Sequence, residues 1–202
     1  MYPDNRMAIY TNSGVQEISP QSLLAGKRIF FLTGEINAET AKETAAKILE
    51  AARRSPEDVT LLIQSPGGSI EDGMIICDIM RLAPIDVQTV ALGTVASMGA
   101  VIFASGTKGK RFMLPSSRLM IHEPLFTRNT PTSTSDAIRL GEMMTDVKHR
   151  MSKILSSATG QSVERIEEDT KQDKYFTAEE AVEYGLADTV LDQETFTRSL
   201  CK

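Results

Sequence analysis

Short apolar segments rich in β-branched residues alternate with helix-like segments along much of this chain. A strand, a helix and a second strand in succession are typical of a parallel β-sheet whose strands are joined by crossover helices. Beginning with a strand, the predicted elements alternate over 28–33, 37–53, 59–63, 69–82, 87–92 and 97–105, and two further strands follow over 110–114 and 118–121. We therefore expect an α/β fold of repeated β-α-β units, with the 202 residues forming a single domain, 1–202.

Two of the predicted helices have a clear apolar face. In the helix over 37–53 this face consists of Ala41, Ala45, Ile48, Leu49 and Ala52. A long amphipathic helix is predicted over 133–158 by an apolar stripe at helical spacing, which consists of Leu140, Met144, Val147, Met151, Ile154 and Leu155. Because most apolar helix faces pack within their own domain, the residues alone favour packing on the chain's own core. Packing on a partner subunit is the alternative.

Composition and charge exclude several functions. The chain has 22 Lys plus Arg against 27 Asp plus Glu, a net charge of −5, and no tryptophan. Proteins that bind nucleic acid normally carry a basic patch and often aromatic stacking platforms, so no nucleic-acid partner is expected. The histidines are His122 and His149, and no Cys/His ligand spacing occurs, so no metal site is expected.

Cysteine usage and hydropathy indicate the compartment. Cys77 lies in an apolar helix-like segment, where a buried thiol is expected, and Cys201 is the penultimate residue. No disulfide is indicated, which fits a reducing cytoplasm. The first residues lack the basic-then-apolar pattern of a secretory signal, and no apolar run approaches the roughly 20 residues of a membrane-spanning helix. We expect a cytoplasmic protein without membrane segments.

One serine stands at a position suited to nucleophilic chemistry. Ser97 lies among small residues in Gly93-Thr94-Val95-Ala96-Ser97-Met98-Gly99-Ala100, between a β-branched run and an alanine-rich apolar stretch. A strand-to-helix turn at this place would expose the hydroxyl and direct nearby backbone N–H groups at an oxyanion. A small-Ser-small turn that serves packing alone is the alternative.

A serine nucleophile needs a base and a group that orients the base. His122 follows the apolar strand 119–121, a rigid place from which to direct an imidazole, whereas His149 lies among charged residues of the amphipathic helix. His122 is therefore the better candidate base, with a partly buried hydrogen-bonded histidine as the alternative. The residues leave the orienting carboxylate open among Glu167, Glu168, Asp169, Asp173, Glu179 and Glu180.

Several motifs occur in a characteristic order. They include Phe31-Leu32-Thr33-Gly34, Gln64-Ser65-Pro66-Gly67-Gly68, Ala96-Ser97-Met98-Gly99-Ala100, Met120-Ile121-His122, Thr159-Gly160-Gln161 and Ala181-Val182-Glu183-Tyr184-Gly185-Leu186-Ala187-Asp188. In this order and spacing they resemble the proteolytic subunit of the Clp protease, a self-compartmentalising serine peptidase, over most of the chain. The resemblance implies a crotonase/Clp-like α/β fold with a protruding handle helix.

The resemblance also implies roles for individual residues. It makes Ser97, His122 and Asp173 the catalytic triad, and it assigns the oxyanion hole to the backbone N–H groups of Gly68 and Met98. Two edges, 69–71 and 125–127, resemble the family's groove that holds an extended peptide by strand addition. The substrate-binding residues so implied are Ser69, Ile70, Leu125 and Phe126.

The family's architecture implies partners and the roles of larger segments. By this resemblance, the region 123–158 corresponds to the handle that interlocks two heptameric rings into a tetradecamer. For the long helix, the resemblance therefore favours packing on a partner subunit over packing on the chain's own core. The segment 1–21 becomes an axial segment that meets an AAA+ unfoldase of the Clp type. The subunit itself is expected to be an ATP-independent serine endopeptidase that needs no cofactor and cleaves unfolded polypeptides inside the chamber.

Two departures from the family pattern keep alternatives open. After Leu125 the family usually continues with paired glycines, whereas this chain has 126–133, a slightly longer segment that begins with Phe126 and contains Pro131. The segment 1–21 also matches poorly. One alternative is a paralogue that is active only in a mixed assembly with a second peptidase subunit. Another is a crotonase-type acyl-CoA enzyme, which the Ser97, His122 and Asp173 set disfavours.

Overall fold

A parallel sheet carries the chain's main elements. The computed structural model describes residues 7–11, 14–125 and 133–200. The strands in these ranges are β1 Met7–Thr11, β2 Gly14–Ile18, β3 Ile29–Thr33, β4 Val59–Ser65, β5 Val87–Ala96, β6 Arg111–Met113, β7 Arg118–Ile121, β8 Lys174–Phe176 and β9 Thr189–Val190. The helices are α1 Pro20–Gly26, α2 Ala38–Arg54, α3 Ile70–Leu82, α4 Met98–Ala104, α5 Thr134–Thr159, α6 Val163–Asp169, α7 Ala178–Tyr184 and α8 Gln193–Leu200.

The sheet topology confirms the predicted α/β fold. Strands β3, β4, β5, β6 and β9 lie side by side in that order, and every neighbouring pair is parallel. Helices connect β3 to β4 and β4 to β5, as expected for β-α-β units. Strand β7 pairs in parallel with β5 and antiparallel with β8, while β1 and β2 form a separate antiparallel hairpin.

Strand β5 is longer than the sequence pattern predicted, because it has two neighbours in succession on one edge. The prediction ended this strand at Leu92, before Gly93. In the structure Thr89 to Ala91 pair with β6, and Thr94 to Ala96 pair with β7. Gly93, with φ of 60°, lies where the neighbour changes. The glycine therefore marks a change of partner within the strand rather than its end.

Helix α2 begins at a capping box, in which the Asn37 side chain accepts from Glu39 and Thr40 N–H groups and Thr40 bonds back to Asn37 N–H. Its buried face differs from the predicted one. Leu49 is 50% exposed, so its assignment to the inner face was wrong. Ala41 and Ile48 are buried as predicted, but Thr44 and Ala51 are buried in place of Ala45 and Ala52. The buried residues of α2 are therefore Ala41, Thr44, Ile48 and Ala51.

Helix α5 buries the predicted apolar stripe more deeply in its C-terminal half than in its N-terminal half. In its C-terminal half, Val147, Met151 and Leu155 are buried in the chain's own core. In its N-terminal half, the stripe residues Leu140 and Met144 are half-buried, whereas Ile138 and Met143, which the pattern did not include, are exposed. The prediction that the stripe packs on the chain's own core therefore holds for the C-terminal half of the helix, and the N-terminal half also presents exposed apolar side chains. None of the described helices is both long and apolar enough to cross a membrane.

Two helical glycines differ in the space around them and give a test of the packing. A Cβ atom added at Gly73 in α3 would lie 2.3 Å from Met98 Cγ, whereas one at Gly141 in α5 would meet nothing within 4 Å. We expect Gly73→Ala to lower the free energy of unfolding by about 1–3 kcal/mol through overpacking. The matched Gly141→Ala should raise it by about 0.5–1 kcal/mol because alanine is the better helix former. Thermal unfolding midpoints at one protein concentration check both, and equal shifts in the two variants contradict the close packing of α3 on Met98.

Candidate active site

Ser97 occupies a strained turn between β5 and α4. Its φ of 55° and ψ of −127° place a residue with a Cβ atom in a region that mainly glycine adopts. The turn is held from both sides. The Ser97 N–H donates to the Met120 carbonyl at 2.8 Å, and the Ser97 carbonyl accepts from Ala100 and Val101 N–H groups at 3.0 and 3.2 Å. The Ser97 hydroxyl is thereby presented at the carboxyl end of the parallel sheet, as a nucleophile elbow requires.

His122 reaches Ser97 from the neighbouring strand. Strand β7 runs parallel to β5 with Ala96 opposite Met120, so the residues that follow the two strands lie close together. The distance between His122 Nε2 and Ser97 Oγ is 2.8 Å, and the imidazole is mostly buried, with 13% of the side chain exposed. His149 lies on α5, where its Nδ1 is 3.3 Å from Glu167 Oε1 and half of its side chain is exposed. The structure thus brings His122, and not His149, to the serine.

Asp173 reaches His122 through the pairing of β7 with β8. These strands are antiparallel with Ile121 opposite Lys174, so the next residues outward are His122 and Asp173. Asp173 Oδ1 lies 3.3 Å from His122 Nδ1, on the opposite side of the imidazole from Ser97. The other carboxylates that the residues had left open contact different groups, among them the Lys171 ammonium for Glu168, the Arg165 and Lys174 cations for Asp169, and the α7 capping box for Glu180.

The glycine turn after β4 lies directly against the serine. A Cβ atom at Gly67 would be 2.6 Å from Ser97 Cβ, and one at Gly68 would be 2.2 Å from the Ile36 carbonyl oxygen. Both glycines have positive φ, 96° and 147°. Ile36 fixes the turn from its other side, because its N–H donates to the Gly67 carbonyl and its carbonyl accepts from Ser69 N–H, each at 2.8 Å. Only glycine fits at either position.

Two backbone N–H groups beside Ser97 remain available to an oxyanion. Met98 is the first residue of α4, where an N–H has no partner within the helix. The bonds that flank Gly68 use the carbonyl of Gly67 and the N–H of Ser69. Within the described part of the chain, neither the Gly68 nor the Met98 N–H donates to a protein group. Two preorganised donors next to a candidate nucleophile are the arrangement that stabilises a tetrahedral intermediate.

The expected peptide-binding edges are only partly extended. Ser69 is the N-cap of α3, because its hydroxyl accepts from Asp72 N–H, and Ile70 is the first residue of the helix. The segment 69–71 is therefore a helix start and not an edge strand, and the extended backbone ends at Gly68, which bridges to Ile36. Leu125 follows Pro124, lies in no strand and is 74% exposed. Phe126 and Thr127 lie outside the described residues.

Ser65 contributes to the site, although the sequence analysis did not single it out. Its buried hydroxyl donates to the Gly34 carbonyl at 2.6 Å and accepts from Gly67 N–H at 3.1 Å. A Cβ atom at Gly99 would also approach Ser65 Cβ to 3.0 Å. Ser65 therefore joins the glycine turn to the start of α4. Its position at the end of a buried strand, directly before Pro66-Gly67-Gly68, was the available signal.

Other reactive groups lie outside this site. Burial raises the pKa of the Cys77 thiol to about 11, so the predicted buried thiol is confirmed and stays protonated at neutral pH. Cys201 lies outside the described residues. Among the described residues, no group of three or more His, Cys, Asp or Glu side chains converges as a metal site would require.

Comparisons with known proteins give matches over most of this chain. The family model described as Clp protease matches residues 12–194. The ATP-dependent Clp protease proteolytic subunit 2 of Mycolicibacterium paratuberculosis is 44% identical over 169 residues, which cover 83% of this chain and 84% of that protein. The ATP-dependent Clp protease proteolytic subunits 1 of Mycobacterium bovis and Mycobacterium tuberculosis have the same identity and coverage.

The close approach of Gly67 to Ser97 can be tested with a matched glycine. Gly67 and Gly109 both have positive φ, but a Cβ atom at Gly109 would meet nothing within 4 Å. We expect Gly67→Ala to slow fluorophosphonate labelling of Ser97 about 100-fold, because a displacement of the serine by about 1 Å is enough for such a loss. Gly109→Ala carries the same backbone strain and should label within twofold of the wild-type rate. Similar labelling of the two variants contradicts the role of Gly67.

Proposed function

This chain belongs to the Clp protease family of serine peptidases, and on that basis we propose that it is an endopeptidase subunit whose nucleophile is Ser97. The observation that carries this proposal is the placement of His122 between Ser97 and Asp173, with Nε2 2.8 Å from the hydroxyl and Nδ1 3.3 Å from the carboxylate. A base hydrogen-bonded to the nucleophile and oriented by a third group is the defining geometry of a catalytic triad.

The proposed acylation uses both imidazole nitrogens. His122 Nε2 takes the proton from Ser97 Oγ as the oxygen attacks the carbonyl carbon of the scissile peptide bond. The Asp173 carboxylate faces Nδ1–H, so it holds the productive tautomer and stabilises the imidazolium that forms. His122 then gives the proton to the departing amine, the C–N bond breaks, and an acyl-enzyme on Ser97 remains.

The same groups complete the reaction with water. In each tetrahedral intermediate the negative oxygen accepts hydrogen bonds from the Gly68 and Met98 N–H groups, which are fixed before the reaction begins. Water attacks the acyl-enzyme as His122 removes its proton, and the proton returns to Ser97 Oγ when the acid product leaves. The subunit needs no cofactor for these steps.

The proposed substrate is an extended, unfolded polypeptide. Gly68 is exposed at the end of the extended backbone beside Ser97, and Ser69 and Ile70 follow it on the same side of the nucleophile. We assign Leu125 and Phe126, which follow the His122 segment, to the opposite side of the groove. A peptide between the two sides would bind through its main chain, which suits cleavage of many sequences.

The proposed assembly is a chamber of two stacked heptameric rings. The chain forms one domain, 1–202, with the handle in 123–158 and the axial segment in 1–21. The exposed Ile138 and Met143 in the N-terminal half of α5 support the handle, because exposed apolar side chains are suited to contact with a second copy. Since the relatives are named ATP-dependent, we assign ATP hydrolysis to a separate AAA+ unfoldase that delivers substrate in the cytoplasm.

The assignment of the nucleophile predicts the behaviour of two variants. Ser97→Ala should abolish both fluorophosphonate labelling and hydrolysis of a short chromogenic peptide, with an unfolding midpoint at or above that of the wild type, since alanine removes only the hydroxyl. Asp173→Asn should keep labelling measurable and lower kcat by a factor of about 10²–10⁴. Full peptidase activity in Ser97→Ala would falsify the proposed mechanism.

A second candidate is a subunit that is active only in a mixed assembly with a second peptidase paralogue. The exposed Asp173 side chain, at 3.3 Å from His122, favours it, because a neighbouring subunit could bring the carboxylate closer. The relatives are named proteolytic subunit 2 in one organism and proteolytic subunit 1 in another, so numbered subunits occur among them.

Labelling of the isolated chain separates the two candidates. If the chain is active alone, it should elute at a mass of many subunits and label at Ser97 without a partner. If the isolated chain does not label, but labelling appears when the chain is co-expressed with a paralogue, the mixed assembly is established instead. Ser97→Ala in the mixed complex is the control that assigns the recovered signal to this chain.

A further inference from the structure

The contacts of the Asp173 carboxylate itself do little to fix its position. Its side chain is 56% exposed, and its contact with His122 Nδ1 is 3.3 Å long. An exposed carboxylate is hydrated and free to change rotamer, so its position depends on the backbone that carries it. That backbone is the short segment 170–173, between α6 and β8.

An ion pair joins the residues that flank this segment. Asp169 precedes it and Lys174 follows it, and Lys174 Nζ lies 2.7 Å from Asp169 Oδ1. The Asp169 side chain is only 13% exposed, and it also accepts from Arg165 Nε and Tyr184 Oη, each at 2.7 Å. Partial burial raises the pKa of Asp169, but the hydrogen bonds from Lys174, Arg165 and Tyr184 outweigh it and lower the pKa to about 2. The carboxylate is therefore charged at neutral pH.

The closed segment is also fastened to the strand that carries His122. The Lys174 backbone pairs with Ile121 in the β7–β8 ladder. At the other end, Glu123 N–H donates to the Thr170 carbonyl at 2.8 Å, and the buried Thr170 hydroxyl donates to the Ile166 carbonyl. The contacts at Ile121 and Glu123 lie on either side of His122 in the sequence, so the segment and the histidine are held as one unit.

We propose that the Asp169–Lys174 ion pair is a positioning element that holds the Asp173 carboxylate against His122. Neither residue touches the reacting atoms. Each acts by fixing the ends of the segment between them, which leaves Asp173 few positions to adopt. This inference rests on the proposed function, in which Asp173 orients the catalytic base.

The structure offers a matched pair of cations for the test. The side chains of Lys174 and Arg165 each lie 2.7 Å from the Asp169 carboxylate. Arg165 belongs to α6, as Asp169 does, whereas Lys174 follows Asp173, so of these two cations only Lys174 connects the two ends of the segment 170–173. We expect Lys174→Met to lower kcat for a short chromogenic peptide at least tenfold with KM unchanged. Arg165→Met should change kcat less than twofold, and Lys174→Arg, which keeps the charge, should restore most of the lost rate. Unfolding midpoints identify any variant whose fold is damaged.

A double-variant comparison separates positioning from a general loss of structure. In the Asp173→Asn background the carboxylate is already lost, so Lys174→Met should cause no further decrease in the rate of fluorophosphonate labelling. Equal losses in Lys174→Met and Arg165→Met, or the same loss in the presence and absence of Asp173, would overturn the inference. Failure of the proposed function looks different, since the wild-type chain would then show no Ser97-dependent hydrolysis at all.

Discussion

Strand β7 is paired on both edges, and this double pairing determines where the reactive groups lie. Its parallel pairing with β5 places His122 beside Ser97, and its antiparallel pairing with β8 places Asp173 on the other side of the imidazole. The three residues are far apart in sequence and are brought together by backbone hydrogen bonds rather than by contacts among themselves. Because a shift of register by one residue would turn His122 to the opposite face of the strand, the site depends on the ladder as a whole.

The strained turn at Ser97 is maintained by the burial of the helix that follows it. A residue with a Cβ atom held at positive φ costs about 1–3 kcal/mol. Every residue of α4 is buried, and a fully buried side chain such as Ile102 or Phe103 contributes about 1.5–3 kcal/mol. The helix therefore offsets the strain several times over. Gly67 and Ser65 then fix the direction in which the hydroxyl points, because the first permits close approach and the second holds the glycine turn.

The sequence predicted the candidate site residues that directly follow strands, Ser97 and His122, better than Asp173, which lies in the loop between α6 and β8. The alternating pattern located β5 and β7, and so Ser97 and His122 could be proposed from their positions at strand ends. Asp173 could not be chosen from six nearby carboxylates, because a residue on a loop is placed by strand register and by ion pairs that periodicity does not show. The exposure of Leu49 and the extension of β5 past Gly93 were missed for a related reason, since both depend on which neighbour packs or pairs at that point.

Helix α5 links the surface proposed for assembly to the surroundings of the triad. Its N-terminal half exposes Ile138 and Met143. In its C-terminal half, Lys148 Nζ lies 2.6 Å from Oε2 of Glu123, the residue after His122. An ion pair that is partly exposed contributes about 0–1 kcal/mol, less than the roughly 1.5–3 kcal/mol of one fully buried apolar side chain. The packing of Val147, Met151 and Leu155 in the core therefore sets the position of the helix, and the ion pair follows it. The N-terminal half of α5 thus carries the surface proposed for a second copy of the chain, while the C-terminal half is held in the core beside the candidate active site.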